Sequence, residues 1–197
     1  MSINDHPSAQ GDSDLLWISI QTTGVSPKKN RPLEIGLLQT TSDLEILDGI
    51  QSFVGPVLTY TEAIQIEEHV TKMHQASGLM DSMMSLPHIL PAEDVDFELS
   101  WWIAERFPQR ATIAGINILS VRAWTFAHFP KIFKLCSAQY LDITSVQQAL
   151  KFWVHPGIDT FARKVSGQVA AHRVEQDLLD AVNLAVFYRN FITKEDE

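Results

Sequence analysis

Three apolar runs with strand character, at residues 15–21, 33–40 and 45–54, follow one another before any helical pattern begins. The polar loop "PKKNRP" separates the first two, and "TTSD" makes a hairpin of the second and third. Beyond them the periodicity alternates. Residues 62–74 read as a helix, capped at its C-terminal side by Gly78 of "ASGL" and followed by a "SLPHILP" loop. Residues 95–107 form a helix that ends before Pro108, residues 111–116 a short buried strand, and residues 118–129 a helix that stops before Pro130. A short strand at 140–143 runs into a helix at 145–153, and 154–168 reads as a Pro/Gly-bearing loop. A long helix at 173–192 closes the chain, with Leu178, Val182, Ala185 and Val186 on one face. Strands first and alternation afterwards restrict such a chain to a mixed α/β sheet covered by helices.

At 197 residues the chain fits one domain, expected over 14–193, with a floppy lead-in at 1–13 and a solvated acidic tail, "KEDE", at 194–197. No apolar run approaches the ~20 residues that span a bilayer, and the N-terminus lacks a signal-peptide layout. A single cysteine, Cys136, excludes an internal disulfide and suits a cytoplasmic setting, where it is expected to be a buried small hydrophobe. The net charge of -9 argues against non-specific nucleic-acid binding, which needs an excess of Lys and Arg. Trp101 and Trp102 cannot share one side of a helix, so one is expected in the core and the other outside, as a hint of a partner surface.

The stretches "LLWISIQTTGV", "LEIG", "HQASGL", "AGINILSVR", "QYLDITSVQQALKFW" and "AHRVEQDLLDAVNLAVFYRNFI" occur in an order that resembles the oligoribonucleases. The resemblance covers about residues 15–192. It implies the ribonuclease-H-like mixed sheet of the wider DEDDh exonucleases, in a single domain and as a homodimer. It also implies two-metal phosphodiester hydrolysis with Mg²⁺ or Mn²⁺, hard cations that prefer anionic oxygen ligands. Four carboxylates hold those ions in the family, and a His serves as general base.

Carried over position by position, the resemblance places Ser19 and Gln21 where the first Asp and Glu stand, and Val121 at the third carboxylate. Asp177 matches the fourth ligand and His172 the general base, while Glu34 matches a family acid outside the four. Asp12 and Asp14 lie on the wrong side of the first strand to replace the lost pair. One carboxylate of four is left, so no bound metal is expected. The substrate side departs too. Asn117, Gln139 of Ala138-Gln139-Tyr140, and Thr144 stand at the 5′-phosphate contacts, and Gln139 replaces an Arg that would grip the phosphate. Val25 stands for the leucine wedge between bases, and His69 for an aromatic residue.

Each position has a plain alternative. Ser19 and Gln21 can fill a vacated pocket, bonding to each other or to water, or they can form a new ligand site. His172 can be a leftover loop residue, and Asp177 can serve the dipole at the start of the last helix. Asn117, Gln139 and Thr144 can still hold a neutral or weakly charged ligand. The resulting expectation is a degenerate oligoribonuclease relative that binds rather than cuts. Its partner would be a protein, including an active oligoribonuclease, or a short oligonucleotide or dinucleotide. The alternative is a 3′–5′ exoribonuclease with residual metal-dependent activity on short oligoribonucleotides.

Overall fold

In the computed structural model, which describes residues 14–47, 50–54, 66, 68–85, 90–165 and 172–193, the early strand runs become β1 (Leu15–Thr22), β2 (Pro32–Thr40) and β3 (Gln51–Val54). Then follow α1 (Glu68–Ala76), α2 (Leu79–Ser85), α3 (Ala92–Arg106), β4 (Ala111–Gly115), α4 (Ile118–His128), α5 (Pro130–Leu135), β5 (Cys136–Asp142), α6 (Ile143–Trp153), α7 (Ile158–Val165) and α8 (Val174–Thr193). The five strands lie in the order β3-β2-β1-β4-β5. β1 pairs antiparallel with β2 and parallel with β4, β3 is antiparallel to β2, and β5 is parallel to β4. The mixed sheet expected from the run of strands is therefore present.

β1 is central and covered on both faces, so its alternation sorts side chains between two cores. Leu16 and Ile18 enter the core built with α3, α4 and α5, which contains Leu99, Ile103 and Ile132. Trp17 enters the opposite core with Leu38, Leu178, Val182 and Tyr188, and donates its indole N–H to Thr40 Oγ1 at 2.9 Å. Ser19 and Gln21 follow Trp17 at two-residue steps and so face α8. On β2 the same face carries Glu34, opposite Gln21, and Gly36, opposite Ser19. A Cβ on Gly36 would lie 2.8 Å from Val174 Cγ2, so the absence of a side chain lets the start of α8 sit against the sheet.

Several boundaries differ from the sequence-based expectation. The third run is a strand only over Gln51–Val54, with an isolated bridge from Ile46 to Thr40, and residues 48–49 lie outside the described part. The described part of the expected 62–74 helix begins at Glu68, and a second helix, α2, follows Gly78, whose φ of +71° suits a helix-ending glycine. A proline opens α5 instead of merely ending α4. The backbone N–H groups of Lys131 and Ile132 are taken by the buried carboxylate of Asp96 on α3, at 2.9 and 3.0 Å. The fourth-to-fifth strand crossover ends in a seven-residue β5 that starts at Cys136, not at residue 140. Within 154–168, read as loop, Ile158–Val165 is helical: Ile158 and Ala162 bury one side against α8. The segment is strongly amphipathic, but the adjoining Pro156, Gly157 and Gly167 marked it as a loop and its eight-residue length kept the pattern short.

Trp102 is 7% exposed and Trp101 58%, the inside–outside pair expected on α3. Cys136 is buried, and that burial pushes its thiol up to about 12. No helix among the described residues is long and apolar enough to cross a membrane. The lead-in at 1–13 and the tail at 194–197 lie outside the described residues.

Candidate functional site

A cleft of about 470 Å³ opens between the end of β1, the β4–α4 junction and the first turns of α8. Ser19 and Gln21 come from β1, Asn117, Ser120 and Val121 from the start of α4, and His172, Asp177 and Asp180 from the start of α8. The site-position residues Ser19, Gln21, Val121, His172, Asp177 and Asn117 are thus brought together. Thr144 is linked to them through Asn117: it accepts the Asn117 backbone N–H at 3.1 Å and donates to Asn117 Oδ1 at 3.3 Å.

Three expected positions stand elsewhere. Val25 is 92% exposed in the β1–β2 loop and is not part of the cleft wall. That loop is folded by Thr23, whose N–H donates to the Arg31 carbonyl, and is pinned to α4 by His128, which donates to the Pro27 carbonyl at 2.8 Å. His69 lies exposed on α1, away from the cleft lining. Gln139 is exposed on the outer strand β5, beside a separate small depression formed with Asp14, Arg110 and Thr112. The edge position of β5 separates Gln139 from the cleft within one chain. Asp14 accepts from Gln39 at 2.8 Å at the far end of β1, in keeping with its expected distance from the site; Asp12 is outside the described residues.

The chemistry of the floor is set by one contact. Gln21 is 8% exposed, and its Nε2 donates to Asp177 Oδ2 at 2.5 Å. Ser19 and Gln21 do not bond to each other. Burial pushes the Asp177 carboxyl up to about 6, with the nearby Asp180 and Glu34 carboxylates adding to the rise and the Gln21 amide opposing it. Asp177 sits in the first turn of α8, where a carboxylate faces the positive end of the helix dipole, and Glu34 adds a direct cap: its Oε2 accepts the Val174 backbone N–H at 3.0 Å. The Glu34 carboxylate, 2% exposed, also receives Arg173 through Nε and Nη2 at 3.1 and 3.0 Å, while Arg173 Nη1 reaches Ser82 Oγ on α2 at 3.2 Å. Beta strand β2, α2 and α8 are clamped together this way.

His172 holds a left-handed backbone, φ +50°, just before this clamp. Next to it, His74 of the "HQASGL" stretch is fully buried and donates from Nε2 to the Thr22 carbonyl at 2.9 Å. Burial lowers its pKa, and the His172 ring also disfavours its charge, so His74 anchors α1 to the end of β1 as a neutral ring.

The donor set does not fit a pair of hard divalent ions. Gln21 points an N–H at the carboxylate, Ser19 offers a neutral hydroxyl and Val121 offers nothing. Among the described residues no three of His, Cys, Asp and Glu come together as a metal site. Sequence reasoning missed Asp180, Ser120 and Arg163 on the cleft wall. Asp180 was legible as the residue one helical turn from Asp177. Arg163 was not, because it belongs to the helix read as loop.

Comparison with known proteins agrees with the architecture. No family model matches the chain. An oligoribonuclease of Tropheryma whipplei is 26% identical over 184 residues, covering 92% of this chain and 95% of its own length. Those of Vibrio cholerae and Yersinia enterocolitica are 24% and 25% identical, covering 93% and 94% of this chain and 97% and 99% of their own. Among solved structures, E. coli exonuclease I in complex with a dA16 oligonucleotide superposes with a TM-score of 0.69 at 14% identity, covering 91% of this chain. Exonuclease I from Methylocaldum szegediense gives 0.63 at 14% identity. The chain spans about two fifths of those exonuclease I chains, 41% and 42%. The fold is therefore the ribonuclease-H-like one of exonuclease I.

Proposed function

Taking the chain as a homologue of the oligoribonucleases, we propose that it is a member that has lost two-metal catalysis and works by binding. The observation that carries this is the Gln21–Asp177 hydrogen bond: the surviving acid is met by a neutral amide from a position where the family resemblance expects a carboxylate. Three lost carboxylates remove the anionic cage that holds hard cations, and Gln139 removes the charge that would grip a 5′ phosphate. The cleft itself is kept, with Asn117 and Thr144 bonded at its edge. Its occupant is a nucleotide-like ligand or a side chain of a protein partner, and the protein acts in the cytoplasm, as a homodimer or beside an active oligoribonuclease.

A second reading, residual 3′–5′ exoribonuclease activity on short oligoribonucleotides, is favoured by the names of the relatives and by the shared cleft position of His172 and Asp177. The test is incubation of the purified protein with a dinucleotide in Mn²⁺. Binding without turnover is expected. Turnover that disappears in Asp177→Ala would establish the enzyme and end the binding-only reading.

A further inference from the structure

We propose that the cleft floor receives a protonated alkylamine, the end group of a lysine side chain or of an aliphatic polyamine. The inference rests on the cleft working without metal ions.

The floor carries several open acceptors. Gln21 gives one of its two amide N–H groups to Asp177 Oδ2, while its Oε1, on a side chain 8% exposed that lines the cleft, accepts no hydrogen bond from the described residues. Asp177 keeps Oδ1 open. Asp180 gives Oδ1 to Gln176 Nε2 at 2.8 Å and keeps Oδ2. The Ser19 hydroxyl lines the same surface without a hydrogen-bond partner. An ammonium group brings three N–H donors and no acceptor, the complement of such a floor. A phosphate brings only acceptors and would face two carboxylates.

The walls select what carries the charge. Ile116, Val121 and Leu184 line the same cleft, so a methylene stem has apolar surface to lie along while its head is bound. Arg163 is also on the wall, but its side chain is exposed and its charge is screened by solvent more than those of the part-buried carboxylates. The net charge of -9 draws cations towards the molecule and repels oligonucleotides.

Calorimetry at pH 8 and low salt tests this with Nα-acetyl-lysine methylamide, its Nε-acetylated form, 1,5-diaminopentane and a 5′-phosphorylated dinucleotide. Saturable heat is expected from both amines, with at least about tenfold weaker binding of the Nε-acetylated form, because it loses the charge-assisted bonds. Asp180→Asn and Ser19→Ala, two independent variants of which one leaves every charge in place, are each expected to weaken the amines severalfold. Tighter binding of the lysine derivative than of the diamine identifies a protein side chain as the source, and the reverse order identifies a free polyamine. Equal affinity for the amine and its acetylated form, or no amine binding at about 10 mM, overturns the proposal. Turnover of the dinucleotide is scored separately, by product, so loss of the binding-only reading and loss of the amine site are told apart.

Discussion

The side-chain amide of Gln21 and the carboxylate of Asp177, 156 positions apart in the chain, meet at 2.5 Å across the gap between β1 and α8. The amide supplies to Asp177 the positive hydrogen that a cation would supply in a carboxylate-lined site. Its removal should be felt at once. Gln21→Glu places two acids against each other, and at pH 8 it is expected to lower unfolding stability by about 1–3 kcal/mol, the cost of losing a part-buried bond to a charged group. Urea denaturation with and without millimolar Mn²⁺ checks both halves: the variant should regain stability in the metal and the native chain should not. An equal response of both chains to Mn²⁺ would mean that Gln21 does not control the charge of this site.

Asp177 also makes stability depend on pH. Its folded pKa, pushed up to about 6, lies above the ordinary value of 3.8, so the folded chain holds this proton more tightly than the unfolded one. The group therefore favours the folded state most where it is protonated in both, below pH 4, and that advantage is lost as pH rises from about 4 through 6. Asp177→Asn keeps a hydrogen-bonding side chain without the charge. At pH 7.5 it is expected to be more stable than the native chain by about 1–2 kcal/mol, discounted for the part of the group open to solvent. The difference should shrink to nothing by pH 4. Melting temperatures of both proteins over that range supply the measurement, and a constant offset would refute the assignment.

A different kind of loss is expected at the neighbouring acid. Glu34 is 2% exposed and holds both the Arg173 guanidinium and the Val174 N–H. Arg173→Ala leaves that carboxylate buried with its principal partner gone, which is expected to cost about 3–5 kcal/mol. Glu34→Gln keeps an acceptor for Val174 and should cost distinctly less. Chemical denaturation of the two variants side by side decides the order.

The sheet and its two faces could be read from the sequence because strand alternation is a local property. The Trp17–Ser19–Gln21 spacing already placed the two polar residues on one face, and that face is the one against α8. What the sequence could not supply were the pairings across distance. Nothing local says that Gln21 turns to Asp177 or that Glu34, set aside as outside the four acids, caps α8. Asp96 capping α5 from α3 is the same case: a buried acid is explained only when the N–H groups it serves are in view. Val25 and His69 show the reverse case: positions carried over from the family that this single chain holds on its surface, outside the lining of the cleft. Gln139 follows them, because β5 is the last strand of the sheet and faces outward.

Gly36 ties the sheet to the cleft in a way a variant can expose. A Cβ there would lie 2.9 Å from Val174 Cβ and 3.0 Å from Leu178 Cδ1, three residues before and one after Asp177. The Cβ of a helical valine cannot swing aside, so Gly36→Ala must push the first turn of α8 outward. A loss of about 1–3 kcal/mol is expected from this overpacking. Hydrogen exchange should report it in α8 and leave α3 unchanged, and equal loosening of both helices would point to a global effect instead.

The fullest test rebuilds what the chain lacks. Ser19→Asp, Gln21→Glu and Val121→Asp together would return three acids to the cleft beside Asp177. Without metal the triple variant should be less stable by several kcal/mol: Val121 is 8% exposed, so its replacement buries a charge, and the acids repel one another. With millimolar Mg²⁺ or Mn²⁺ part of that loss should be recovered, since an ion bound only by the folded chain shifts the folding equilibrium towards it. Calorimetry is expected to find metal binding by the triple variant that the native chain does not show. Restored acids that bind no ion would show that the backbone around β1 and α8, and not only its side chains, has moved away from a metal-binding geometry.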